Sequence, residues 1–294
     1  MKAKTTMTVD YKILDGISPL VPLYDVYLLD IWGLLHDGVH PYPGVIECLE
    51  KLMALGKKTL LLSNSPRRGT LVSAQLEKIG IPQEAYTDIL TSGDATYLDL
   101  MDQVQHLGRR CYFLGQDMHK GLLTDVDLEH VSTLEDADFI LNTGPDDLEI
   151  TLDDFKHHFK PAIQRGLLMI CANPDMKVII GQTQVLCAGT LAQLYEEQGG
   201  QVHYHGKPFP FVYELAMQRL GNPPKSKVLA LGDSLNTDIK GARKIGIDGG
   251  LVLSGLHGHE LDLPFGDIPT PKDVAALTLR HHLTATYYLP SLRW

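Results

Sequence analysis

The sequence predicts an α/β protein built on a doubly wound parallel sheet, and three observations predict it. Short, wholly apolar runs alternate with stretches of helical periodicity. Three of those runs end on polar residues: 26–29 on Asp30, 59–62 on Ser63 and 228–231 on Gly232-Asp233. A run without polar alternation marks a strand buried on both faces. Ligands of such sheets bind beyond the carboxyl ends of the strands, where all three polar clusters fall.

In chain order, YDVYLLDIWG gives the first strand and turn. VIECLEKLMALGKK, after Pro43-Gly44, has helical spacing and ends at Gly56. KKTLLLSNSP is the second strand and turn, followed after Arg68-Gly69 by a helix over TLVSAQLEKIG that ends at Gly80. RRCYFLG, ADFILNTGP, LLMICANPD and MKVIIG read as strands without the polar ends. FVYELAMQRLG, after Pro210, is a helix ending at Gly221, SKVLALGDSLNTD is the third strand and turn, and GIDGGLVLSGL supplies a further strand. Residues 108–201 are therefore expected to form a smaller α/β domain inserted into a larger one made of 1–107 and 202–294. No repeat or low-complexity linker interrupts this order.

The chain of 294 residues is 44% hydrophobic and 21% charged, the balance of an ordinary globular protein. A formal charge of −10 and the lack of any long Lys/Arg run exclude nucleic acid as an expected partner. Cys48, Cys111, Cys171 and Cys187 show no C-x-x-C spacing and are expected to be buried, reduced thiols of a cytoplasmic protein. MKAKTTMTVD lacks the apolar core of a signal peptide, and no apolar run reaches bilayer-spanning length, so no membrane partner is expected.

Singly, an aspartate after a strand is most often a turn residue or helix cap, and Lys207 in HYHGKPFPF reads as a surface lysine. Their order is more specific. Asp30-Ile31-Trp32-Gly33, Ser63-Asn64-Ser65, Gly206-Lys207-Pro208 and Gly232-Asp233-Ser234-Leu235-Asn236-Thr237-Asp238 resemble the four ordered motifs of haloacid dehalogenase-like hydrolases. The chain is most similar to class IIA, the nucleotide monophosphatase-like, phosphoglycolate and pyridoxal phosphate phosphatase-like subclass. CANPD and GIDGGLVLSG are similar to further subclass features.

That resemblance implies a Rossmann-like core with an α/β cap at 108–201, and hydrolysis of a small phosphorylated molecule such as a sugar, nucleotide or cofactor phosphate. It implies Asp30 as nucleophile, forming an aspartyl-phosphate. Mg²⁺ would be held by Asp30, the carbonyl of Trp32 and Asp233, with Asp238 orienting metal waters or the lysine. Ser63, Asn64, Ser65 and Lys207 would bind the phosphoryl oxygens, and the cap would choose the substrate.

One family residue is missing. Where phosphatases of this kind carry a general acid/base aspartate, two residues after the nucleophile, this chain has Trp32. Such a group is worth about 10²–10⁴-fold. Four readings stand: His36 or Asp37 replaces the acid, against the plainer reading that they form the turn before Gly38; the substrate carries a good leaving group; the protein is a catalytically impaired phospho-ligand-binding module; or it displaces halide without a metal, which Asp233 and Asp238 oppose. His257-Gly258-His259-Glu260 reads as a polar loop before a metal site. Arg67-Arg68 contact either substrate phosphate or a helix start. Tyr287, Tyr288 and Trp294 read as a tail packed on its own domain, with a homodimer contact as the alternative.

Overall fold

The computed structural model describes residues 11–147, 150–180 and 183–294. The leader reading of residues 1–10, and Gly181 at the end of MKVIIG, lie outside them. The chain divides into two compact units, Met1–Thr59 with Pro224–Trp294, and Leu60–Pro223.

The first unit carries four parallel strands in the order Tyr287–Leu289, Asp248–Val252, Val228–Gly232, Val26–Leu29. Every residue of the Val26–Leu29 and Val228–Gly232 strands is buried, which is why both appear in the sequence as unbroken apolar runs. Val26 pairs with Val228 and Leu29 with Leu231, so the two strands end side by side. The helix Val45–Ala54 buries Val45, Cys48, Leu49 and Leu52 at helical spacing and stops just before Gly56. The tail packs on its own unit: Tyr287 and Tyr288 are buried in a strand paired to Asp248–Val252, and Tyr288 joins Leu235, Ile239, Leu251 and Val274 in one core cluster.

The strand Lys58–Ser63 straddles the division between the units and pairs in parallel with Asp88–Thr91. In the second unit five parallel strands run in the order Gln201–Tyr204, Leu168–Cys171, Phe139–Asn142, Arg110–Leu114, Glu129–Val131. Both faces of this sheet are covered. Phe139 and Leu141 pack on one face with Leu122 and Ile170, while Ile140 packs on the other with Phe159, Met169 and Tyr195. That alternation is the two-residue period of a strand with no solvent side. Lys177–Ile180 and Thr183–Leu186 form an antiparallel pair. Parallel strands alternating with helices make the fold Rossmann-like α/β, as the sequence predicts. The four cysteines are free and buried, and no helix among the described residues is long and apolar enough to cross a membrane.

Candidate active site

Asp30 follows the Val26–Leu29 strand directly, and its main-chain N–H donates to the Leu231 carbonyl at 2.9 Å, extending the parallel ladder by one residue. Asp233 follows the neighbouring strand. Asp238 lies on the single π-helical turn Leu235–Ile239, where its Oδ2 accepts the Ser234 N–H at 3.2 Å and the Thr237 hydroxyl at 3.3 Å. This local folding-back brings ligand oxygens of Asp30, Asp233 and Asp238 within 4.8 Å of one another. Asp233 and Asp238 are buried, and an all-oxygen donor set of this charge suits a hard divalent cation. The loops meet so closely that a Cβ on Gly33 would lie 2.1 Å from Asp233 Oδ2, and Gly33 has φ of +80°. Only glycine meets both demands without strain.

Trp32 lies in the loop after Asp30 and is 44% exposed. Its ring meets the His36 ring edge-on at 5.3 Å and covers Gly38, where a Cβ would lie 2.7 Å from the indole. The Gly33 N–H donates to the His36 carbonyl at 3.1 Å, closing the loop. His36 is buried, its Nδ1 accepts the Gly38 N–H at 2.8 Å, and burial holds its pKa below the ordinary histidine value. Asp37 Oδ1 accepts the N–H groups of Val39 and His40, each at 2.8 Å, and those bonds lower its pKa. Both side chains therefore build the turn around Gly38.

In the second unit, Ser63 ends its strand and its Oγ accepts the Ser65 N–H at 3.1 Å. Ser65 Oγ accepts from the N–H and the Nε of Arg67, each at 3.3 Å. Arg68 pairs with Asp94 at 2.9 Å and lies 3.6 Å from the Tyr97 ring centroid, at the start of the helix Gly69–Lys78. Asn64 is buried and ties three motifs together. Its Nδ2 donates to Asp175 Oδ1 at 2.8 Å and to the Lys207 carbonyl at 2.9 Å, while its Oδ1 accepts the Lys207 N–H at 2.7 Å. Asn173 Oδ1 accepts the Asp175 N–H at 3.0 Å, so the Asn-Pro-Asp turn backs this clamp. Lys207 itself is 3% exposed, far from the surface lysine its sequence context predicts.

The sequence places GIDGGLVLSG among the subclass features and His257–Glu260 in a polar loop, but gives no individual role to the residues after the Asp248–Val252 strand. Ser254 Oγ donates to the Gly33 carbonyl at 2.7 Å, and the Leu256 N–H donates to Asp233 Oδ2 at 2.7 Å. The segment's signal in the sequence is the subclass resemblance of GIDGGLVLSG, which ends on the small pair Ser254-Gly255 just beyond a buried strand.

Residues 27–129 match the haloacid dehalogenase-like hydrolase model, and residues 204–277 match a second HAD-hydrolase-like model. A haloacid dehalogenase-like family hydrolase from Brucella suis 1330 superposes with a TM-score of 0.80 at 30% identity, over 95% of this chain and 100% of its own. The chain belongs to the haloacid dehalogenase-like hydrolase family. This hydrolase is also 26% identical over 251 residues to an acid sugar phosphatase of Staphylococcus epidermidis, covering 84% of this chain and 92% of that one. A 4-nitrophenylphosphatase of Schizosaccharomyces pombe is 24% identical over 260 residues, 81% of this hydrolase and 86% of the relative.

Proposed function

We propose that this hydrolase of phosphoric esters cleaves small phosphate monoesters through Asp30 with the help of Mg²⁺. The observation that carries the reading is the convergence of Asp30, Asp233 and Asp238 at the ends of two adjacent parallel strands. Asp30, the Trp32 carbonyl and Asp233 would hold the cation, with Asp238 ordering its waters. When bound, Mg²⁺ would screen the Asp30 carboxylate from the phosphate and stabilise the charge of the transferring group.

In the first step an Asp30 carboxylate oxygen bonds to phosphorus as the bond from phosphorus to the leaving oxygen breaks. The aspartyl-phosphate is then cleaved by water, which restores Asp30 and releases orthophosphate. Ser63, Ser65 and nearby main-chain N–H groups hold the phosphoryl oxygens, and Lys207 adds positive charge. Asn64 acts on the site through the main chain of Lys207, since its amide is engaged by protein partners. Residues 108–201 act as the cap that chooses the substrate.

Trp32 has no proton to give at neutral pH, and His36 and Asp37 are engaged in the turn. The leaving oxygen therefore departs as an anion and takes its proton from solvent, which favours aryl and acyl phosphates over alkyl ones. The sugar and nitrophenyl phosphatases among its relatives supply the two substrate classes to compare.

Phosphate release from p-nitrophenyl phosphate and acetyl phosphate, with Mg²⁺ and with EDTA, tests the proposal. Turnover should require the cation and fall to background in Asp30→Asn. Turnover that survives in Asp30→Asn would overturn it.

A further inference from the structure

The N-terminal end of the acidic turn Leu235–Ile239 leaves main-chain N–H groups that the turn itself does not satisfy. Side chains take them. The Ser234 N–H goes to Asp238 and the Thr237 N–H to Ser234 Oγ, both partners within the motif. The Leu235 N–H goes outside it, to Nε2 of His257 at 3.1 Å. His257 is 1% exposed, and its other nitrogen, Nδ1, lies 2.5 Å from Glu260 Oε2. Arg280 and His281 also bind the Glu260 carboxylate, His281 at 3.0 Å.

A ring nitrogen that accepts an N–H carries no proton, so the neutral His257 ring has its proton on Nδ1, where Glu260 accepts it. This assignment also disposes of a cation held by His257, Glu260 and His281, although their ligand atoms lie within 4.8 Å of one another. A cation on Nδ1 would leave Nε2 protonated, with two N–H donors facing each other across the 3.1 Å contact. Arg280 already supplies positive charge to the same carboxylate.

We propose that His257 is a positioning residue for the cation site: its Nε2 lone pair fixes the Leu235 N–H, and so the turn from which Asp238 reaches back beside Asp233. The inference rests on the reading of Asp30, Asp233 and Asp238 as cation ligands. Glu260 acts one step further out, by keeping the proton on Nδ1. Ser254 and the Leu256 N–H, from the same segment, brace Gly33 and Asp233.

Mn²⁺ alone, titrated without substrate and followed by electron paramagnetic resonance, tests this on the full chain. His257→Leu, which keeps bulk and removes the acceptor, should weaken binding about 10–100-fold with the far-ultraviolet circular dichroism unchanged. His257→Gln, whose amide oxygen can accept, should recover most of that loss. Glu260→Gln can donate to Nδ1, so it should shift the ring proton to Nε2 and also weaken binding. Long-range ¹H–¹⁵N spectra of the wild type should show the Nδ1–H tautomer, a readout that stands even if His257→Leu fails to fold. Wild-type binding that folded His257→Leu leaves unchanged, or a wild-type Nε2–H tautomer, would overturn the positioning role alone. Failure of the wild type to bind Mn²⁺ would overturn the cation site and the inference together.

Discussion

Asn64 and Lys207, 143 residues apart in the chain, are joined by two hydrogen bonds of opposite sense, one at 2.9 Å into the Lys207 carbonyl and one at 2.7 Å from the Lys207 N–H. A side-chain amide carries a donor and an acceptor side by side, so one residue serves both main-chain groups of Lys207. Asn64→Leu should therefore strand a buried N–H and a buried C=O. The expected loss is about 2–6 kcal/mol, from about 1–3 kcal/mol for each of the two unsatisfied groups. Urea unfolding measures it, and a loss below 1 kcal/mol would show that water replaces the clamp. KM should rise more than kcat falls, because the change displaces Lys207, the proposed phosphate-binding lysine.

Trp32→Asp places a carboxyl at the position where the family resemblance implies a general acid. With the indole 44% exposed, its replacement empties no core. Activity on an alkyl phosphate should rise by about 10²-fold or more, the lower end of general acid catalysis. Activity on p-nitrophenyl phosphate should change far less in the first step, since its leaving group needs no proton. The ratio of kcat/KM for the two substrates is the measurement; an equal effect on both would mean that protonation does not limit the wild type.

Gly33→Ala should combine an unfavourable φ with a Cβ pressed against Asp233 Oδ2. Gly255→Ala meets the same oxygen, also at 2.1 Å, without the positive φ. Both should weaken Mn²⁺ binding, Gly33→Ala more, at a stability cost of about 1–3 kcal/mol each. Thermal melts with and without Mn²⁺ separate the two effects: the cation should raise Tm in the wild type and do so less in either variant.

His119 provides the pH prediction. Burial, reinforced by the nearby Arg67 guanidinium, lowers its pKa from 6.5 to about 4. The unfolded chain then binds more protons than the folded one between those values. Stability from this group is present in full above pH 6.5 and is lost as the pH falls towards 4, by up to about 3 kcal/mol. His119→Gln should flatten that part of the stability profile, measured by urea unfolding at stepped pH. An unchanged slope would place the acid sensitivity elsewhere.

The strand ends were legible in the sequence because burial on both faces writes itself as an unbroken apolar run, as in 26–29 and 228–231. The strands Glu129–Val131 and Gln201–Tyr204 were less visible, because they lie at the two edges of their sheet and most of their residues are not buried. The helix Ser92–Leu107 did carry a signal, the Thr91–Asp94 capping box, hidden by weak apolar periodicity in its exposed half. The Asn64 clamp and the His257 contact could not be read at all. Each joins side chain to main chain across a long separation, and main-chain groups leave no trace in composition.

Ser254, Leu256 and His257 touch Gly33, Asp233 and Leu235, which come from two distant stretches of chain. The Leu235 amide is held by the His257 ring and the Leu256 amide by the Asp233 carboxylate, so the two segments hold each other through reciprocal bonds. In hydrogen exchange the two amides should open together, with a common free energy, rather than as two loops fraying separately. Reciprocal bonding of this kind would give the acidic centre two conditions, assembled or open, with little between them.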